Sequence, residues 1–207
     1  MKIYFIRHGE TVWNTKKIFQ GSSNSPLTEK GRCQAAKLGE KLKDVPFVTF
    51  YSSPLGRTME TTELVKNGRD IRVKYMDEFK EISVGQMEGV PREKFESEYP
   101  KQYHDFFFNP KEYSPELYGG ESYNKLIERV KAGLDKVVKN HKENDIVAIV
   151  SHGVTLKAIF KIVNNMSFEE LGNFPVPKNT SLSIVDYTDG KYTVELFSDI
   201  SHLDGCE

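Results

Sequence analysis

Apolar positions along the chain follow two rhythms. Residues 3–6 and 146–150 are short, continuous apolar runs, the pattern of strands covered on both faces of a parallel sheet. Residues 47–51 form a third run of this kind, and 71–75 a weaker one. Residues 181–187 and 192–197 alternate apolar and polar side chains instead, with Asp189-Gly190 between them. Alternation on both sides of an Asp-Gly pair predicts a hairpin, hence an antiparallel edge to the sheet.

Helical spacing fills the intervals. Residues 28–42 open with Thr28 as an N-cap, and residues 54–65 with Ser53 as N-cap and Pro54 at the first helical position. Residues 122–138 carry Leu126, Ile127, Val130, Leu134, Val137 and Val138 on one stripe, and residues 154–163 follow Gly153. Strands alternating with helices predict an α/β three-layer sandwich: a mostly parallel sheet with an antiparallel edge and helices on both faces. A chain of 207 residues can bury a full core, so one domain over 1–207 is expected. Residues 91–118 break the rhythm, being dense in aromatics and prolines without a strand pattern. Residues 90–121 are therefore expected to form a lid or cap insertion, the plainer alternative being a pair of short helices packed at the sheet edge.

Composition changes this picture little. The formal net charge is -1 and the pI about 6.5. Neither nucleic acid nor a membrane is expected as a partner. There is no charged-then-apolar leader and no apolar run near a membrane's thickness, so neither a signal peptide nor a transmembrane span is expected. Cys33 and Cys206 stand in no paired spacing, which predicts two free thiols in a reducing compartment and a cytoplasmic location.

The candidate chemistry lies where strands end. The first strand runs into Arg7-His8-Gly9, the stretch after residues 47–51 carries Arg57, and residues 146–150 run into Ser151-His152-Gly153. Ligands of open α/β sheets bind outside the carboxyl ends of parallel strands. If these strands are neighbours, Arg7, His8, Arg57 and His152 converge. Helix N-termini nearby would add free N–H groups. Such a pocket suits a phosphoryl dianion, which arginine binds bidentately. Two flanking guanidiniums and the lack of an HExxH spacing argue against a metal site, and the lack of a GxSxG elbow against a serine hydrolase.

Six stretches in order extend this reading: IRHGETVWN (6–14), QGSSNSPLTEKGRCQA (20–35), YSSPLGRTMETTE (51–63), FKEISVGQMEG (79–89), GGES (119–122) and VSHG (150–153). Together they resemble the histidine phosphatase superfamily, in its phosphoglycerate-mutase-like branch, over nearly the whole chain. The resemblance implies that His8 is the nucleophile, attacking phosphorus to form a phosphohistidine. Its other ring nitrogen would be held by a backbone carbonyl. Arg7, Arg57 and His152 would hold the transferred oxygens, and Glu81 would be the proton donor. Asn14, Gln20, Gly21 and Gly153 match phosphate- or substrate-binding positions. Glu88 and Glu10 read as structural partners. No metal and no cofactor are implied, the partner is a small-molecule phosphate ester, and the protein is expected to be a monomer or homodimer.

Within the family, two departures favour a phosphatase over a mutase. Ile82-Ser83-Val84 stands where mutases usually carry Arg-His-Tyr, and residues 91–118 hold a single arginine, Arg92. A broad-specificity or small-metabolite phosphatase is the expected activity, with Phe106, Phe107, Phe108, Tyr99, Tyr103 and Tyr113 as candidates for an apolar leaving-group site. A cofactor-dependent phosphoglycerate mutase, an α-ribazole phosphatase and a phosphate-binding pseudoenzyme are the alternatives.

Overall fold

In the computed structural model, which describes residues 1–206, one sheet holds β1 (Lys2–Arg7), β2 (Thr49–Ser52), β3 (Val73–Tyr75), β4 (Ile146–Ser151), β5 (Leu182–Thr188) and β6 (Lys191–Asp199). Their order is β3-β2-β4-β1-β5-β6. The first four are parallel, while β5 runs antiparallel to both β1 and β6. Asp189 and Gly190 close the final hairpin with φ of 52° and 77°, the left-handed pair that a two-residue turn of matching twist requires.

Helices cover both faces. α1 (Val12–Thr15) is a single turn after β1, followed by α2 (Glu29–Lys41) and α3 (Gly56–Lys66). α4 (Arg92–Glu98) and α5 (Pro100–Phe108) precede the long α6 (Tyr123–Lys139), and α7 (Gly153–Val163) and α8 (Phe168–Asn173) follow β4. Side chains alternate across the strands and so divide the core. Ile6, Phe50, Ala148 and Val150 pack against Ala35 and Leu38 of α2 and Val65 of α3. Ile3, Phe5, Val147 and Ile149 pack on the other side with Leu126, Val130 and Leu134 of α6 and Leu156, Ile159 and Phe160 of α7. The expected three-layer sandwich is the observed fold.

Thr28 caps α2 as expected, and Ser122 caps α6, each accepting from a backbone N–H of the first turn. Ser53 does not cap α3. That helix begins at Gly56 after Leu55, with no side-chain cap. Ser53 is spent elsewhere: its Oγ meets His152 Nε2 at 2.8 Å, and its carbonyl accepts from Thr58 Oγ1. The segment expected as a lid or a helix pair contains α4 and α5. Phe95 and Phe106 pack edge-on against Phe19, and Tyr113 against Tyr123, so the segment shares one core with the sheet.

The cysteines require a correction. Cys33 and Cys206 are bonded, with Cα atoms 5.8 Å apart across 173 residues of sequence, and no cysteine among the described residues is free. The expectation of two free thiols therefore fails, and with it the cysteine argument for a reducing compartment. The bond ties the terminal loop to α2. Lys41 of α2 reaches Asp199 at 2.6 Å and Ser201 at 2.8 Å, and His202 Nε2 contacts the Thr180 carbonyl at 3.0 Å. Among the described residues, no helix is long and apolar enough to cross a membrane.

Candidate active site

The carboxyl ends of β2, β4 and β1 lie side by side, with Ser52 opposite Val150 and Arg7 opposite Ser151. The crossover from β1 to β2 leaves room for β4 between them, so all three chemistry-bearing strand ends open at one place. A cavity of about 320 Å³ lies there. Arg7, His8, Asn14, Gln20, Gly21, Arg57, Glu81 and Gly153 all line it. His152 is not on its wall.

His8 is almost fully buried. Its Nδ1 lies 2.7 Å from the carbonyl oxygen of Gly9. A carbonyl only accepts, so Nδ1 carries the proton and Nε2 keeps a lone pair. The loop that does this is rigid. Gly9 N–H donates to Thr61 Oγ1, Asn179 Nδ2 donates to the carbonyls of His8 and Gly9, and Thr180 N–H donates to the His8 carbonyl. A side chain on Gly9 would run into the backbone of Gly31, so α2 packs directly on this turn. Burial, then Arg57 and Arg7, hold the pKa of His8 well below 6.5 and keep the ring neutral.

His152 sits behind the wall, its ring 5.2 Å from that of His8. Arg57 Nε donates to its Nδ1 at 3.1 Å, which leaves Nε2 protonated and donating to Ser53 Oγ. Burial and the Arg57 cation push its pKa well below 6.5 as well. In this arrangement both ring nitrogens serve the protein. Arg57 is fixed on all sides: besides His152, its NH1 donates to the Ser23 carbonyl at 2.6 Å and its NH2 to the Gly21 carbonyl at 2.8 Å. Arg7 donates through NH1 to the Pro177 carbonyl, while its buried Nε has no partner. Burial lowers both guanidiniums to about 10, so they remain charged at neutral pH.

Glu81 is held at the start of α7. Its Oε1 accepts from the N–H groups of Ile82 and Thr155 at 3.1 and 2.9 Å, while Oε2 accepts from Val154 N–H at 3.1 Å; Thr155 Oγ1 lies 2.9 Å from Oε1 and 2.7 Å from the Lys80 carbonyl. This alters one expectation. The first amides of α7 face a carboxylate, not an incoming anion, and Arg57 N–H at the start of α3 donates to Asn24 Oδ1. Asn14 turns its Oδ1 toward Thr11 and Asn179, so its amide nitrogen is what it has left to offer the cavity.

Glu88 lies outside the cavity wall and ties two segments together. Its carboxylate accepts from Ser22 N–H, Ser23 N–H, Ser23 Oγ, Ser83 Oγ and Val84 N–H at 2.6–3.3 Å. Of the aromatics expected around a leaving group, Phe106 and Phe107 line the cavity. Phe108 points to solvent and Tyr113 is buried in the core. Asn179, Thr155 and Ser53 escaped the sequence reading, because single polar residues in loops and first turns carry no pattern that separates them from ordinary caps.

Residues 3–200 match the Histidine phosphatase superfamily (branch 1). A metal-independent phosphoserine phosphatase of Arabidopsis thaliana is 32% identical over 204 residues, covering 98% of this chain and 83% of that protein. A probable phosphoglycerate mutase, GpmB, of Salmonella paratyphi A is 28% identical over 209 residues, covering 99% of this chain and 95% of that protein. Among solved structures, Bacillus stearothermophilus YhfR matches with a TM-score of 0.93 at 33% identity, over 98% of this chain and 99% of that one.

Proposed function

Because the chain belongs to branch 1 of the histidine phosphatase superfamily and is a phosphatase of that type, we propose that it hydrolyses small phosphomonoesters without a metal ion, through a phosphohistidine on His8. The observation that supports this most directly is the fixed tautomer of His8. The Gly9 carbonyl holds the proton on Nδ1, and Nε2 is left as an unprotonated nucleophile beside two guanidiniums.

The reaction runs in two displacements. His8 Nε2 attacks phosphorus, the N–P bond forms and the ester P–O bond breaks. Arg7, Arg57 and the Asn14 amide carry the charge on the transferred oxygens. Glu81 gives its proton to the departing alkoxide. Oε1 accepts from two backbone N–H groups and Oε2 from one, so Oε2 is the oxygen with a lone pair to spare for this proton. Water then attacks the phosphohistidine, Glu81 takes its proton, the N–P bond breaks and inorganic phosphate leaves. His152 acts at one remove, as the acceptor that sets the plane of Arg57.

The test is phosphate release from a panel of phosphomonoesters with EDTA present, beside His8→Ala, with acid-labile phosphoprotein trapped by rapid denaturation. EDTA-resistant release and a trapped phosphoryl group, both absent in His8→Ala, are expected. Conversion of 3-phosphoglycerate to its 2-isomer without phosphate release would make the protein a mutase. Release that persists in His8→Ala would refute the phosphohistidine route.

A further inference from the structure

The turn that carries His8 leans on a strained residue. Thr180 has a φ of 54°, in the left-handed region that a β-branched side chain rarely enters. Its N–H donates to the His8 carbonyl at 3.2 Å. Its neighbour Asn179 donates from Nδ2 to the carbonyls of His8 and Gly9 at 3.1 and 3.3 Å, and the Gly9 carbonyl is the one that fixes the proton on His8. A backbone conformation of this kind persists only where its partners over-determine it. Two of them lie outside the loop: His202 Nε2 donates to the Thr180 carbonyl at 3.0 Å, and Thr180 Oγ1 donates to Gln34 Oε1 of α2 at 3.4 Å. Both stand beside the disulfide in sequence, Gln34 directly after Cys33 and His202 shortly before Cys206.

Residues 200–206, which carry His202, have little else to hold them. Ile200 and Leu203 join neither core cluster. The polar ties of this stretch, Lys41 to Asp199 and Ser201 and Lys37 to the Asp204 carbonyl, lie on the surface, where such contacts contribute little. His202 Nδ1 is buried with no partner, an acceptor that water would satisfy once the segment came free. The Cys33–Cys206 bond is therefore the fastening of a strap braced against the Thr180 carbonyl.

We infer that this bond is a redox switch on the nucleophile. Oxidised, it clips residues 200–206 to α2 and steadies the Thr180 loop that fixes His8. Reduced, it frees them, and phosphoryl transfer slows. The reductant is a dithiol. One of its thiolates attacks a sulfur of the pair, the other protein sulfur leaves as a thiolate, and the second thiol of the reductant resolves the mixed disulfide. The protein gains two electrons and two protons, and the dithiol becomes a disulfide. Cys33 is only half-buried and offers the more exposed point of attack. This rests on the reading of His8 as the nucleophile.

Dithiothreitol tests it, with a thiol count to confirm each state and all rates taken below the melting transition of both forms. Reduction is expected to lower kcat for an accepted phosphomonoester about tenfold or more, since displacing a catalytic group by about 1 Å costs up to roughly a hundredfold. Diamide, an azo oxidant that takes up the two electrons, should restore it. The Cys33→Ser, Cys206→Ser double variant should match the reduced protein and ignore dithiothreitol, and His202→Ala should lose part of the activity with the bond intact. The NMR shifts of the Thr180 amide and the His8 Nδ1 proton report the folded state and not its stability, and both should move on reduction; a merely stabilising bond would leave them alone. Unchanged kcat or unchanged shifts overturn the inference, as does a bond that dithiothreitol cannot open in the folded protein or thiols that diamide cannot close. If neither form turns over any ester, the phosphatase reading falls, and the shifts decide the switch separately: movement sustains it, and none ends it.

Discussion

Glu88→Gln is the substitution that tests how the charge clamp is built. The Glu88 carboxylate accepts five hydrogen bonds, and three come from Ser22 and Ser23. The neighbouring carbonyls of Gly21 and Ser23 are the ones that hold Arg57. An amide of the same shape has one accepting oxygen and one donating nitrogen. If the nitrogen replaces Oε2, Ser23 Oγ can rotate to accept, but Ser23 N–H faces another donor. If it replaces Oε1, the N–H groups of Ser22 and Val84 both do. At least one backbone donor is left unsatisfied, at about 1–3 kcal/mol, and the remaining bonds lose the assistance of a full charge. The expected destabilisation is about 2–4 kcal/mol, a fall in Tm of roughly 4–16 °C for a chain of this length. Below the transition, kcat/KM for any accepted ester should fall about tenfold as Arg57 loses its fixed carbonyls. Calorimetric melting and steady-state kinetics on the same preparation read both. A variant with native Tm and native kcat/KM would refute the idea that Glu88 positions Arg57 through the 21–23 loop.

Two further outcomes follow from burial and connectivity. His8 and His152 are held neutral in the fold, whereas in the unfolded chain they protonate near 6.5. The unfolded state therefore binds more protons as the pH drops below 6.5, and stability falls by about 1.4 kcal/mol per pH unit for each ring until its own folded pKa is reached; denaturant titrations at pH 7 and 5.5 should differ accordingly, and His152→Gln should flatten the slope. The Cys33–Cys206 bond closes a loop of 173 residues, so Cys33→Ser or reduction should lower unfolding stability by about 2–5 kcal/mol; identical urea midpoints with and without reductant would count against it.

Local signals carried most of the framework. The continuous apolar runs at 3–6 and 146–150 are β1 and β4, because both faces of those strands are covered and no polar residue is tolerated on either. Asp189-Gly190 reads as a turn because its conformation depends on two residues alone. The site was legible for a related reason: Arg7, Arg57 and His152 each stand at or just beyond a strand end, and the topology does the rest. What escaped depends on distant partners. Ser53 looks like an N-cap in one dimension, yet His152, 99 residues away, takes its hydroxyl. Asn179 braces the His8 turn across 171 residues, and Cys33 meets Cys206 across 173. The aromatic run at 106–108 is uniform in sequence, but helical geometry sends its members in different directions.

The covalent ring made by the disulfide has a topological side. Arg57, Glu81 and His152 lie between Cys33 and Cys206, while His8 lies before Cys33, outside the ring. The strand that carries the nucleophile is wedged between β4 and β5, both of which belong to the ring. A single peptide-bond cut anywhere within the ring leaves one connected molecule. A single cut between α1 and Cys33 instead frees β1 and His8 as a separate peptide, held by its two sheet neighbours, its core contacts and hydrogen bonds such as those of the His8 turn to Thr61, Asn179 and Thr180. The molecule is therefore divided in advance into a nucleophile-bearing insert and a closed receptor for it, which is the architecture of a two-part enzyme that could be assembled from its pieces.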